Sequence, residues 1–420
     1  MSHARQSRRR FLAQSAALAS TAVAAPYFVP ATAFGANDRI VTGHIGVGGQ
    51  GNGNLGGFGS VVGAVCDVDQ KHLDSAVKKT GAQGYSDFRK LLEQKDLDAI
   101  VISTPDHWHA LMTIAACDAG KHVYVEKPLS LTVVEGRAMV NAARRNKVIV
   151  QTGSQQRSGG EFLKACEYVR NGHLGKLSEV LVGIPGANHP GKLGPDTAPP
   201  AELDYDFWLG PAPERPYNAK RVHYNFRFWW DYSGGQMTNF GAHHIDIAHW
   251  ALGVDDAGPL EIEALKATFH PENFHEVTET CRVVMKYPGD VNVIVGQGES
   301  DVPGGITFVG EKGRIHVNRG HISSDPAEIL KQPLADDAVR LYASKGHKAD
   351  FINSIKTGEL PCADVEIGHR TATACHLANI ACRTGEKFQW DAASEQITGS
   401  EKAAALLGRE LRSPWTLKLS

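Results

Sequence analysis

Gly46-Val47-Gly48-Gly49-Gln50-Gly51 is the first stretch of this chain in which residue types and spacing amount to chemistry. A diphosphate needs backbone N–H groups and no side chains in its way, and a GxGxxG turn between a strand and a helix provides both. The preceding strand reads as Ile40 to Ile45. A second strand, Val61 to Cys66, ends at Asp67, about 20 residues after the first glycine. A carboxylate there accepts the ribose hydroxyls and repels a 2′-phosphate, so the spacing points to NAD rather than NADP. Gly46, Gly48, Gln50, Gly51 and Asp67 are the expected contacts, and Asp69 is expected to cap the next helix.

Two further segments follow strands directly: Thr104-Pro105-Asp106-His107-Trp108-His109 and Glu126-Lys127-Pro128. On a doubly wound sheet, ligands lie beyond the C-terminal strand ends, so Thr104, Pro105, His109 and Glu126 join the candidate cofactor contacts. Lys127, beside a carboxylate and a rigid proline, either sets a cation next to a developing alkoxide or is a solvated turn lysine. Gly234 to Trp250 carries a third group on one helix that stops at Gly253. Helical spacing puts Asn239, His243 and Asp246 on one face, and Phe240, His244 and Ile247 on the neighbouring one. His243 is then a general base or a core histidine bonded to Asp246. His107, His109, His243, His244, Asp246 and His249 are metal-ligand types, but no stretch has a zinc spacing such as HExxH, and no metal is expected.

The elements that must position these residues alternate strand and helix. Helices are expected near His72 to Lys79, Phe88 to Gln94 and His109 to Ala119, and strands at Ala99 to Ser103, His122 to Val125 and Val148 to Gly153. This is the pattern of an α/β fold with a doubly wound parallel sheet. A chain of 420 residues suits more than one domain. An amphipathic helix from Glu161 to Arg170 opens the second part, with Arg157 just before it as either a substrate contact or an ion-pair residue. Pro185 to Tyr232 reads as a long ordered loop whose rings, Tyr224 and Trp229 among them, suit stacking on sugars. A net charge of -2 gives no long-range attraction for nucleic acid or an anionic membrane. Seven singly scattered cysteines form no disulfide framework.

Ser7-Arg8-Arg9-Arg10-Phe11-Leu12 before an Ala-rich run to Ala25, then Ala31-Thr32-Ala33, resembles a twin-arginine export signal. Residues 1–36 are read as that signal, 37–157 as the NAD-binding domain and 158–420 as a substrate-binding α/β domain. The expected location is periplasmic or extracytoplasmic, with no membrane span once the signal is removed.

The set of motifs resembles the Gfo/Idh/MocA oxidoreductase family. It consists of Ile45 to Gly51, Ala64 to Asp67, Ser103 to His109, Ala119 to Pro128, Trp208 to Pro211, Gly234 to Asp246, Gly310 to Gly313 and Asp350 to Ala381. The resemblance implies a Rossmann domain followed by an α/β domain with an open, mainly antiparallel sheet, and often a dimer or tetramer. It implies a Lys127 that touches the nicotinamide ribose and the reacting hydroxyl, a commonly cis Lys127-Pro128 bond, and His243 as general base. It also places His109 near the nicotinamide; beside it, the residues themselves offer Arg157, Tyr224, Trp229 and His244 as candidate substrate contacts, the two aromatics equally suited to a core. Asn239 departs from the family, which usually has Asp there; a neutral amide cannot raise a histidine pKa as a carboxylate does. The implied activity is NAD-dependent oxidation of a sugar or polyol hydroxyl with a tightly retained cofactor. The alternative is a redox-neutral glycosidase resembling the NAD-dependent α-N-acetylgalactosaminidase branch.

Overall fold

Short runs of β-branched residues separated by capped helices build the first layer. The computed structural model describes residues 39–189 and 191–417, and the expected export segment, residues 1–36, lies outside the described residues. Strands β1 (Val41–Ile45), β2 (Val61–Cys66), β3 (Gln83–Tyr85), β4 (Ala99–Ile102), β5 (His122–Val125) and β6 (Val150–Thr152) form one parallel sheet in the order β3-β2-β1-β4-β5-β6. The order reverses between β1 and β4, which opens a crevice at their C-terminal ends. Asp69 caps helix Gln70–Thr80 by accepting from the Lys71 and His72 N–H groups.

Alternate residues of each strand face opposite layers. Ile100, Ile102, Val123 and Val125 pack with Trp108, Met112 and Met139 of the crossover helices Asp106–Asp118 and Val133–Asn146. Ala99, Val101 and Tyr124 point the other way and meet Phe58 and Phe351. Phe351 belongs to helix His347–Thr357, so a late part of the chain returns to cover the early sheet. Lys348 of that helix donates to the Gly56 carbonyl at 2.9 Å and fastens the Gly-rich stretch after the first helix.

The second sheet holds β7 (Leu177–Ile184), β8 (Glu261–Phe269), β9 (Thr278–Tyr287), β10 (Val291–Gln297), β11 (Gly305–Gly310), β12 (Gly313–Asn318), β13 (His321–Asp325), β14 (Phe388–Asp391) and β15 (Gln396–Thr398). Its order is β13-β12-β11-β7-β10-β9-β8-β14-β15, and only β7 and β10 run parallel. One face, including Val182, Met285, Val293, Phe308 and Val317, is buried with residues of helices Gly160–Arg170, Gly241–Leu252 and Val365–Thr384. Burying such a side chain stabilises the fold by about 1.5–3 kcal/mol. On the opposite face Leu181, Val284 and Ile294 stay partly exposed, so the sheet is open there.

The long connection after β7 is not a bare loop. Trp208, Phe228, Trp229, Tyr232 and Val277 make a small core of their own. The connection is laced to the start of helix Gln70–Thr80: the Gln70 N–H donates to Glu202 O at 2.9 Å and the Asp204 N–H to Val68 O at 3.0 Å. Two expected elements differ in detail. The helix after β4 starts at Asp106, since Pro105 precedes its first turn and needs no N–H partner there. The expected single helix from Gly234 is two, Gly235–Asn239 and Gly241–Leu252, broken at Phe240.

Candidate active site

The C-terminal ends of β1, β2, β4 and β5 open into one cavity of about 450 Å³. Gly46, Gly48, Gly49 and Gln50 form one wall. Gly46 has φ +77°, and a Cβ there would lie 2.8 Å from the Thr104 nitrogen. A Cβ on Gly51 would lie 1.7 Å from the Gly46 carbonyl oxygen, so only glycine lets the helix start press against the strand end. Asp67 accepts from the Val47 N–H at 2.8 Å and the Asp69 N–H at 2.9 Å, which fixes its carboxylate at the wall where ribose hydroxyls would bind. Thr104 and Pro105 line the cavity, and the Thr104 hydroxyl is buried without a hydrogen-bond partner in the protein. A glycine wall, an anchored carboxylate and an orphaned hydroxyl fit a dinucleotide. Glu126 also lines the cavity and accepts from Asn54 Nδ2 at 2.9 Å and Gln50 Nε2 at 3.3 Å, tying the glycine turn to the end of β5.

The other end of the cavity is lined by Asp106, Lys127, Asn239, Phe240 and His243. The Lys127-Pro128 bond is cis. Lys127 Nζ donates to Asn239 Oδ1 at 2.8 Å, Asn239 Nδ2 donates to Gln236 Oε1 at 3.0 Å, and Gln236 Nε2 donates to Asn188 Oδ1 at 3.1 Å. This relay aims the ammonium without neutralising it. Burial holds the Lys127 pKa below its ordinary value, against the pull of Glu126 and Asp106. Burial, then the Lys127 and Arg319 charges, hold His243 far below 6.5, so its imidazole is neutral and able to accept a proton. Its Nδ1 has no partner in the protein. Asp106 accepts from Ser233 Oγ at 2.5 Å, and burial raises its pKa.

A description of the oxidoreductase family's NAD-binding Rossmann fold matches residues 43–154, and one of its C-terminal alpha/beta domain matches residues 190–417, more than half of the chain. The chain belongs to the Gfo/Idh/MocA oxidoreductase family. Like its relatives, this Gfo/Idh/MocA protein carries an NAD-binding Rossmann domain. It is 34% identical over 154 residues to a glycosyl hydrolase family 109 protein of Shewanella pealeana, a match covering 33% of this chain and 34% of that one. It is 26% identical over 320 residues to a myo-inositol 2-dehydrogenase of Thermotoga maritima, covering 73% of this chain and 84% of that one. The chain thus aligns with only about a third of the length of the glycosyl hydrolase relative. Among solved structures, the WlbA dehydrogenase from Bordetella pertussis, in complex with NADH and UDP-GlcNAcA, superimposes with TM-score 0.63 at 21% identity, covering 84% of this chain and 99% of that one. The aldose-aldose oxidoreductase from Caulobacter crescentus, complexed with glycerol, gives TM-score 0.62 at 18% identity, with coverages of 84% and 99%. At those identities the likeness is one of fold.

Five expected contacts of this Gfo/Idh/MocA protein, Gly51, His109, Arg157, Trp229 and His244, lie outside the cavity. Arg157 is 2% exposed and consumed by ion pairs, its Nε to Asp246 Oδ2 at 2.8 Å and its Nη2 to Asp255 Oδ1 at 2.6 Å. Of its two expected roles, ion pair is the one the fold uses. Asp246, tied to Arg157 and Thr371, is correspondingly not bonded to His243. Trp229 is buried in the small core of the long connection, flanked by Arg215 and Arg221, and presents no face to a sugar. His244 is turned into the second domain, its Nδ1 bonded to the Gly183 carbonyl at 3.1 Å. His109 is buried too, with Nδ1 on Pro128 O at 2.8 Å and Nε2 on Thr104 O at 3.0 Å. It braces the two loops that line the cavity rather than lining it. Gly51 acts in the same indirect way, as the close-contact glycine behind the turn.

Tyr224 does line the cavity, and so do residues that were not among the expected contacts, Asp106, Arg227 and Arg319 among them. Asp106 was discoverable, since it lies in a segment already marked by its place after β4. Arg319 sits in the β12–β13 turn, which no local pattern connects to the cofactor motif. Among the described residues, Asp69, His72 and His223 have metal-ligand types with donor atoms within 4.8 Å of one another. They stand beside Asp67 at the ribose wall, so a cation there would compete with a nucleotide for that wall instead of joining Lys127 and His243.

Proposed function

We propose that the protein oxidises a hydroxyl of a sugar or related polyol by hydride transfer to a tightly retained NAD. One observation carries the reading: a single cavity is lined by the glycine turn, Asp67, Lys127, Asn239 and His243. Gly46, Gly48, Gln50, Asp67 and Thr104 would hold the nucleotide, which when bound supplies the hydride acceptor. His243, kept neutral by burial, takes the hydroxyl proton. Lys127, aimed by Asn239, stabilises the negative charge that grows on the oxygen as the proton leaves. Tyr224 and Phe240 offer rings to the sugar face.

Retention is supported by the long connection, whose backbone is hydrogen-bonded to the start of helix Gln70–Thr80 beside Asp67, and whose His223 lines the ribose side of the cavity. A retained cofactor also agrees with export by the twin-arginine route, which we carry as part of the proposal together with assembly into a dimer or tetramer through the open sheet face. In a compartment without a free NAD pool, turnover requires that each cycle restore the cofactor. The match to glycosyl hydrolase family 109 favours a second reading, in which transient oxidation, elimination of a glycosidic substituent and reversal of the redox step leave no net change.

Denaturing the purified protein and identifying released nucleotide by absorbance and mass tests the first reading; a protein that carries none and binds none when NAD is added refutes it. Incubation with nitrophenyl glycosides in D2O separates the two readings. Cleavage with deuterium next to the oxidised carbon and no net NADH selects the glycosidase.

A further inference from the structure

Two arginines enter the reacting end of the cavity from elements outside the cofactor motif. Arg227 comes from the turn His223–Phe228, and Arg319 from the hairpin joining β12 and β13. Elsewhere half-buried arginines have carboxylate partners: Arg137 pairs with Glu366 and Glu395, Arg215 with Asp231 and Glu276, and Arg409 with Glu135. Arg227 has none, and its Nε and Nη1 are buried without any hydrogen-bond partner while its guanidinium stacks 3.7 Å from the Tyr224 ring centroid. Arg319 lies over Phe240, at 5.8 Å from its ring centroid. Both charges are felt at the site: after burial, Arg227 and Arg319 help to hold down Lys127, and Arg319 follows Lys127 in holding down His243. Of the carboxylates at this end, Asp106 accepts from Ser233 and feels the Arg227 charge, and Glu126 accepts from Asn54 and Gln50; neither makes an ion pair with Arg227 or Arg319.

Desolvating a guanidinium with no partner is costly, so Arg227, joined at the same cavity by the more exposed Arg319, is built to meet an anion. The planar fork suits an oxyanion with two or three equivalent oxygens. We propose that Arg227 and Arg319 form an anion-recognition subsite, and that the sugar acted on beside Lys127 and His243 carries a negatively charged substituent, a carboxylate or a sulfate ester. This rests on the hydride-transfer reading for which sugar carbon is attacked, but the subsite is a binding property that can be measured without turnover. The diphosphate of a nucleotide is served by the glycine wall, which leaves both guanidinium groups for the substrate.

The test is calorimetric titration of the purified protein, with its nucleotide content measured, against glucuronate, galacturonate, glucose 6-sulfate and galactose 6-sulfate, with glucose and galactose as neutral parents. Anionic members are expected to bind about ten- to a hundred-fold more tightly than their parents. That preference should shrink to about twofold in Arg319→Gln, whose hairpin position is exposed and tolerant, and in Arg227→Leu. Tight binding by uronates alone assigns the carboxylate, and by the sulfated sugars alone the sulfate. Neutral parents binding as well as the acids, no binding by any acid at millimolar concentration, or a preference that survives both substitutions would each overturn the proposal. Loss of bound nucleotide in Arg227→Leu with the acid preference unchanged would move that residue to the cofactor. None of these outcomes touches the hydride-transfer reading, which fails separately if no nucleotide is found in the protein.

Discussion

Asn239→Asp places a carboxylate where an amide oxygen now receives the Lys127 ammonium at 2.8 Å. Two unit charges at that distance attract by about 1.5 kcal/mol at the dielectric of water and by about 6 kcal/mol at an effective value near 20. One pH unit corresponds to about 1.4 kcal/mol, so the Lys127 pKa should climb by between about one and four pH units, less the cost of burying the new carboxylate. Shifts of about one to three are usual for such pairs. His243, held down partly by the Lys127 charge, should rise as well, back toward 6.5. The reaction needs His243 neutral and Lys127 charged. Its acid limb therefore follows His243 and its alkaline limb Lys127, and in the variant both limbs should move to higher pH, so that the window slides instead of widening. The measurement is kcat and kcat/KM against pH for wild type and variant with bound nucleotide verified. Limbs that stay in place, or that move in opposite directions, would refute the assignment of both roles. The maximal rate should fall by about tenfold, because a paired lysine stabilises a developing alkoxide less.

Lys127→Met should retain nucleotide and lose about a hundred- to a thousand-fold in kcat, read in a turnover assay; undiminished turnover would remove the lysine from the chemistry. Gly46→Ala should fold with its nucleotide content sharply reduced, because its φ of +77° and the 2.8 Å approach to the Thr104 nitrogen leave no place for a Cβ; unchanged content by absorbance would contradict the turn's role. Arg157→Ala should destabilise the fold by about 3–5 kcal/mol in denaturant titration by stranding Asp246, which is 0% exposed, while the folded fraction still binds nucleotide. Light scattering that gives one subunit's mass would reject assembly through the open sheet face.

The Rossmann half was legible because its signals are local. Glycines at fixed offsets, a carboxylate at the end of the next strand and apolar runs bounded by caps each act within a few residues. Asn239 and His243 share the cavity as their helical spacing implied, in spite of the break at Phe240 between the two helices. Asp246, three residues on, was drawn off by Arg157, a partner 89 positions away that no periodicity reveals. Trp229 and His244 illustrate the same limit: aromatic and imidazole side chains serve cores and cavities equally well, and only packing decides between them. Arg227 and Arg319 went unmarked because a lone arginine in a turn is ordinary; what makes them unusual is a missing partner, which is a property of three-dimensional neighbours.

The helix His347–Thr357 supplies Phe351 to the wall behind Tyr124 and Val101, and Lys348 to the stretch after the glycine turn. During translation this helix emerges long after Phe58, Ala99, Val101 and Tyr124, the face of the early sheet that it covers. A nascent chain halted before that helix would expose Phe58 and Tyr124 and be a client for chaperones. A truncation that spares every glycine and the lysine of the site would still strip this face of the parallel sheet of the ring that covers it.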